Sequence, residues 1–501
     1  MRALGPRGPD GGGVWSSKVG RDGVALASAL RRATPEDDFE SQPATNHDGS
    51  VVLVADMRLD NREELAASLG LRVGARVPDS ALVISAYERW GSGMLDHIVG
   101  EFALALADVE RGGLFLARDQ VGARPLVIHE GRDVFAFAST ALALTAFRSV
   151  PRDLDLTHAG EILAMAFGSE RTFVKDVRWL PAGDAVWLEG SRTSRWTWWK
   201  ADPHETVDLG NHTAHVDELR SAFDVAVEAR LRSKGQVGAG VSGGLDSTSA
   251  AATAASLLAP ERLRSYTAVP PPGWRGPEVP GWDADETPLV RALAEMYANL
   301  VPAFVHPPRD TGLFDVHEAL WRLGAGPAAN PMNMLWMHAI RKHAGSDGVT
   351  SLLGGDMGNL FFSADSPSRG SSRTLLQRVP RPIRRRLRTV LRRPGIRERW
   401  LASSALRPEV ASELNLEAVL PQVDERKAQD GRLLAYALRH HYAGQADVTN
   451  ALTALTGVEP RDPTSDRRVL DVAMRQPDWV RGYEGVTRAA ARAAMAGRLP
   501  P

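Results

Sequence analysis

The 501-residue chain has no cysteine, which removes disulfides, thiolate metal ligands and cysteine nucleophiles from its chemistry. Lysine is scarce as well: six residues, the last at Lys427, so the basic charge is carried mostly by arginine. No apolar run nears the roughly 18 residues that a membrane span requires. The glycine-rich N-terminus has no apolar segment of the secretory type, so a cytoplasmic location is expected. A formal net charge of −1 gives no reason to expect a nucleic acid partner. The 13 histidines form no ligand set. His212 with His215, and His440 with His441, read as surface or capping residues, since no H-E-x-x-H helix accompanies them. What is present, 43% hydrophobic and 24% charged residues, describes a soluble globular chain long enough for two to four domains.

The most informative segment is V-S-G-G-L-D-S at 241–247. It follows a short apolar run and opens an alanine-rich stretch, which predicts strand, glycine turn and helix. Glycine amides and a helix N-terminus together make an anion site. Ser242 and Ser247 add hydroxyl donors beside Gly243 and Gly244, and Asp246 places a carboxylate where Mg²⁺ would sit on a phosphate. The lysine and spacing of G-x-x-x-x-G-K-[ST] are missing, so this is not the common P-loop.

Residues 1 to about 20 read as a frayed, Gly/Pro-rich entry. From Ser50 to about Glu189 short strands dominate, interrupted by helices at Asn61–Leu69 and Ser80–Trp90, an α+β pattern. Trp196 to Asn211 reads as a linker. Beyond it strands alternate with helices, which predicts a parallel sheet whose ligand lies at the carboxyl ends of the strands. Both S-G-G-L-D-S and the G-G-D run at Gly354–Asp356 fall at such ends. Arg369 to Trp400 carries twelve arginines against one acid, Glu398, either a solvated face or a docking surface for an acidic partner.

S-G-G-L-D-S resembles the pyrophosphate-binding loop of ATP pyrophosphatases. Further runs extend the likeness: A-D-M-R-L-D-N-R-E-E-L at 55–65, G-E-F-A-L at 100–104, A-R-D-Q-V-G-A-R-P-L at 117–126, F-A-S-T at 137–140 and L-P-A-G at 180–183. Together they resemble the glutamine-hydrolysing asparagine synthetase family. The resemblance implies an α+β N-terminal Ntn-hydrolase-like sandwich over residues 1–200. It implies an α/β ATP-pyrophosphatase domain with a parallel sheet over residues 212–501. Members that hydrolyse glutamine need a cysteine after the initiator methionine. Here Arg2 stands there, and Asp56-Met57 replaces the pocket Asn-Gly, so the first domain is expected to be a scaffold without glutaminase activity.

Three branches of the family do without glutamine: lasso peptide isopeptide-forming cyclases, β-lactam-type synthetases and ammonia-dependent asparagine synthetases. R-D-P-T-S-D-R-R at 461–468 and G-D-M-G-N at 355–359 are similar to the lasso cyclases. The resemblance then implies ATP and Mg²⁺ as cofactors, with a precursor peptide as substrate. A leader peptidase and a leader-binding protein are the further partners it implies. ATP would be held by Ser242, Gly243, Gly244, Asp246, Ser247 and Gly355, and the metal by Asp246 and Asn359. Glu459 is the first candidate for the base that receives the amine proton, Asp356 the second. The other readings of Glu459 are a surface residue or an ion pair with Arg461. Arg488 and Arg492, one turn apart in a helix expected over Tyr483–Ala496, either face the pyrophosphate or solvent. Relatives carry a basic tail with a lysine that aids adenylation, and no lysine follows Lys427 here. A catalytically impaired scaffold is therefore a further reading.

Overall fold

The computed structural model describes residues 3–20, 22–74, 76–164, 169–201, 205–276, 284–307, 310–328, 330–365, 404–419 and 443–500. The arginine-rich stretch, Lys427, His440 and His441 lie outside them.

The N-terminal half is built from antiparallel strands. These are β1 (Gly12–Val19), β2 (Asp22–Ala29), β3 (Ala44–Thr45), β4 (Val51–Leu59), β5 (Gly100–Asp108), β6 (Gly113–Arg118), β7 (Val127–Glu130), β8 (Phe135–Ala138), β9 (Arg178–Trp179), β10 (Asp184–Glu189) and β11 (Arg192–Thr197). The main sheet runs β11-β10-β6-β5-β4-β3; β8-β7-β9 and the β1-β2 hairpin form smaller sheets. Two-residue alternation assigns the faces. On β4 and β5, Leu53, Phe102, Leu104 and Leu106 pack toward the helices Arg62–Leu69 and Asp79–Trp90. Val52, Val54, Ala103 and Ala105 pack into the other layer with Leu26 of β2 and Leu126. Both faces of the sheet are therefore buried, which is why β5 reads as a nearly unbroken apolar run.

One sequence expectation fails here, and a second shifts by two residues. Residues 12–19 are not frayed: β1 pairs with β2 from Gly12↔Ala29 to Val19↔Asp22, since Val14, Trp15 and Val19 supply strand-forming side chains beyond the glycines. The expected linker begins inside β11, and the Trp198 indole N–H donates to the Arg118 carbonyl at 3.0 Å.

The second half contains five parallel strands: β12 (Gln236–Gly240), β13 (Leu263–Ala268), β14 (Leu300–Val305), β15 (Val349–Leu353) and β16 (Glu459–Arg461). Their order is β14-β13-β12-β15-β16. The order reverses between β12 and β15, so the loops leaving these two neighbours open a crevice at the carboxyl edge. The helix Leu245–Leu258 packs close to the sheet because Ala250, Ala251, Ala252, Ala254 and Ala255 bury only methyl groups. A larger side chain at any of them would overpack this contact, at a cost of about 1–3 kcal/mol. Among the described residues no helix is long and apolar enough to cross a membrane.

Candidate functional site

The crevice is built from two loops. In the first, the Ser242 and Ser247 hydroxyls lie 2.9 Å apart, the Gly244 amide donates to Ser242 Oγ at 3.1 Å, and Thr248 Oγ1 donates to the Ser242 carbonyl at 2.8 Å. These bonds hold the turn open above the helix Leu245–Leu258, whose first-turn amides have no intrahelical acceptor. The turn is thus a preformed cradle of N–H and O–H donors suited to phosphate.

The second loop leaves β15. A Cβ on Gly355 would lie 2.7 Å from the backbone carbon of Asp246 and from the amide nitrogen of Ser247, and one on Gly358 would run into the Asp246 carboxylate. Glycine at both positions is what lets the loops touch. Gly358→Ala is therefore expected to displace Asp246. Isothermal titration calorimetry of Mg²⁺·ATP should show affinity lowered at least about tenfold, of the order of one charge-assisted contact.

Asp246 is buried, and its Oδ1 has no hydrogen-bond partner among the described residues. Burial pushes its carboxyl above the usual range, opposed by Ser363 and by the charge of Arg488. An orphaned carboxylate oxygen beside a phosphate cradle fits a Mg²⁺ ion, which uses one or two carboxylates and completes its shell with phosphate and water. The described residues contain no group of three or more His, Asp or Glu arranged for a metal of their own. Asn359 follows Gly358 on the turn Gly358–Leu360 and is exposed.

Asp356 lies exposed at the mouth, with the buried Arg341 as its opposing charge. Asp462, just past β16, ties the site together. Its Oδ2 accepts from the Met357 amide at 2.8 Å, and its Oδ1 accepts from the Thr464 amide at 2.8 Å and from Thr464 Oγ1 at 2.5 Å. Burial, and then the charge of Asp356, push the Asp462 carboxyl up to about 6. Sequence reading missed this residue, although Asp before Pro-Thr at a helical turn is a legible capping signal. The raised value sets a sign. Stability from this group is complete below its ordinary 3.8 and is lost as the pH rises through about 6. Thermal melting is expected to fall across that window. In Asp356→Asn that part of the slope should shrink, because the repelling charge is gone.

Arg488 and Arg492 do not share a helical face. Arg488 takes a left-handed conformation (φ 56°) ahead of a shorter helix, Ala489–Ala494, and Arg492 is exposed. Of the two, Arg488 is the one whose charge acts on Asp246.

Glu459 sits on β16. It pairs in register with Ser351, two residues before the end of β15, and is therefore set back from the crevice. Its carboxylate is bound by Arg124, from the first half of the chain, and by Arg461 Nε at 3.1 Å. Two guanidiniums more than offset burial and hold it well below the usual carboxylate range. So paired, and set back from the crevice, Glu459 is proposed below as a structural anchor, with Asp356 as the base. Glu459 belongs to a buried charge network that joins the two halves. Arg58 bonds Asp60 (2.9 Å) and Glu101 (3.0 Å), and Arg230 bonds Asp466 (2.7 Å).

The profile described as "Glutamine amidotransferase domain" matches residues 1–199, and that described as "Asparagine synthase" matches residues 218–501. The chain belongs to the asparagine synthase family of ATP-dependent, AMP-forming amide ligases. Its first half is a glutamine-amidotransferase-type domain of antiparallel sheets, and its second carries the parallel sheet. Asparagine synthetase (glutamine-hydrolyzing) 3 of Bacillus subtilis is 28% identical over 50% of this chain and 41% of its own length. Asparagine synthetase (glutamine-hydrolyzing) 2 of the same organism is 30% identical over 50% of this chain and 35% of its own length. The chain thus spans less than half the length of these two relatives. A Mycobacterium tuberculosis protein, named provisionally as a glutamine-hydrolyzing asparagine synthetase, is 26% identical over 99% of this chain and 80% of its own length.

Proposed function

We propose that the protein is an ATP-dependent macrocyclase that joins an Asp or Glu side chain of a precursor peptide to that peptide's N-terminal amine. The observation that carries the adenylating half is the pairing of the Ser242–Ser247 donor cradle with the orphaned Asp246 carboxylate. Support for a nucleophile other than glutamine-derived ammonia is the lack of any cysteine to release it. The first domain then serves as a scaffold.

The β- and γ-phosphates of ATP lie against Ser242, Gly243, Gly244 and Ser247, and Gly355 keeps the second loop close. Asp246, with the Asn359 amide oxygen as a second contact, would hold a Mg²⁺ ion, which would neutralise phosphate charge there. The substrate carboxylate attacks the α-phosphorus, and pyrophosphate leaves. The peptide amine attacks the resulting acyl carbon, AMP leaves, and the surplus amine proton passes to Asp356, which stands exposed at the mouth. Arg488 stabilises charge near Asp246. A leader peptidase and a leader-binding protein belong to this reading as partners that deliver the cleaved peptide.

Names of the relatives favour a second reading, asparagine formation from aspartate and free ammonia. Incubation of the protein with Mg²⁺, ATP and leader-free candidate peptides separates the two. A peptide lighter by one water, with AMP and pyrophosphate, is the expected result. Asparagine from aspartate and ammonia, with no change in any peptide, would replace the cyclase reading. ATP binding without pyrophosphate release under either condition would leave a non-catalytic scaffold.

A further inference from the structure

Asp356, the group that receives the amine proton, stands on a turn whose own backbone restrains it little. Gly354, Gly355 and Gly358 surround it, and glycine is the least restrained of residues. The turn is held instead from β16. The Gly354 amide donates to the Arg461 carbonyl at 2.9 Å, and the Met357 amide, next to Asp356, donates to Asp462 Oδ2 at 2.8 Å. Asp462 is itself fixed: its Oδ1 accepts from the Thr464 amide at 2.8 Å, and its carbonyl accepts from Ser465 Oγ at 2.7 Å.

β16 does little to hold itself. It is three residues long and pairs with β15 at the edge of the sheet. Short edge elements with few contacts of their own open most readily. The first domain grips both ends of the stretch 459–465. Arg124 bonds the Glu459 carboxylate at one end, and Gln120 Nε2 donates to the Ser465 carbonyl at 3.2 Å at the other. The loop that carries both is tightly bonded. Asp119 Oδ1 accepts from the amides of Val121 (3.1 Å) and Ala123 (2.9 Å), and its Oδ2 accepts from the Arg124 amide at 3.1 Å. Arg118 donates at 2.7 Å to the carbonyls of Gly122, Arg124 and Leu180. Arg118, Asp119 and Gln120 are all buried. A buried polar network whose members are satisfied rigidifies what it touches. Through Gln120 and Arg124, this one touches the segment that carries Asp462.

We infer that Asp462 is a positioning residue for the amine step, and that the first domain takes part in the ligase chemistry by holding it. Arg124 and Gln120 fix the stretch 459–465, and Asp462 sets the turn that presents Asp356. A base must lie within about 2.6–3.2 Å of the atom whose proton it takes, so a turn displaced by about 1 Å loses the transfer. The donor cradle after β12 is held by its own bonds, so a loosened grip falls on amine attack more than on adenylation. This rests on the ligase reading in taking Asp356 as the base, and it holds alike for a peptide amine and for ammonia.

Hydrogen exchange of the full ligand-free chain, followed by mass spectrometry, tests the grip without any substrate. Arg124→Gln and Gln120→Met, the latter removing the donor at similar volume, should each speed exchange across 354–360 about fivefold, the worth of one lost hydrogen bond. Exchange in β13 should stay as in the parent. Arg124→Lys, which keeps the cation, should recover part of the protection, and Gln120→Met carries the test should Arg124→Gln be unstable. Turnover then reads the role of Asp462. Asp462→Asn leaves one carbonyl oxygen for donors that two oxygens now serve. With leader-free peptide, or with aspartate and ammonium, product formed per pyrophosphate released should fall at least about tenfold in this variant, because the adenylate waits and is lost to water. Gln120→Met should move the ratio the same way. Three results would overturn the inference: exchange across 354–360 indifferent to both first-domain variants, exchange in β13 rising as much, or product and pyrophosphate falling together in Asp462→Asn. The same fall read on asparagine, with no cyclised peptide formed, would remove the cyclase reading and uphold the inference.

Discussion

Asp246→Ala is expected to lower pyrophosphate release by roughly 10²–10³-fold or more, the scale of losing one preorganised electrostatic contact at a reacting centre. The same variant should melt no lower than the parent. Asp246 is held buried against its own ionisation, with Oδ1 unpartnered, so the folded chain gains nothing from its charge. A group that costs stability and sits beside a donor cradle is retained for what it binds. Steady-state pyrophosphate release and a thermal melt on one preparation read both halves. Undiminished release would remove the metal-holding role.

Glu459→Ala should produce the opposite signature, a large loss of stability. Truncation leaves Arg124 and Arg461, at 9% and 1% exposure, without a shared carboxylate. Breaking such a buried pair costs about 3–5 kcal/mol. The midpoint of denaturant unfolding measures it. The native stabilisation is complete above the ordinary glutamate value of 4.5 and is lost as the pH falls toward the depressed folded value. Wild type and variant should therefore converge in acid. Unchanged stability with abolished turnover would restore Glu459 as the base.

Sequence sufficed where local chemistry and periodicity agree. The S-G-G-L-D-S turn, the alanine-rich helix behind it and the alternation of strand and helix were each legible. The same signals placed Gly354–Asp356 at a second strand end. What failed depends on register and on long-range pairing. Glu459 and Arg461 are two apart on a strand, hence on one face, and that much could be read. That Arg124, more than 300 residues earlier, completes the pair was not written locally. The expected helix Tyr483–Ala496 is broken by left-handed backbone at Glu484 and Arg488, neither of which is a glycine to signal the break. The hairpin β1-β2 was obscured by glycines at both its ends.

Binding of Mg²⁺ with α,β-methylene-ATP to the wild-type chain and to Ser247→Ala tests the nucleotide site most directly. One nucleotide per chain and at least about a tenfold loss of affinity in the variant are expected, as removal of one charge-assisted donor requires. Affinity indifferent to Ser247, or no nucleotide bound at all, would contradict the assignment of the turn after β12 as the phosphate site.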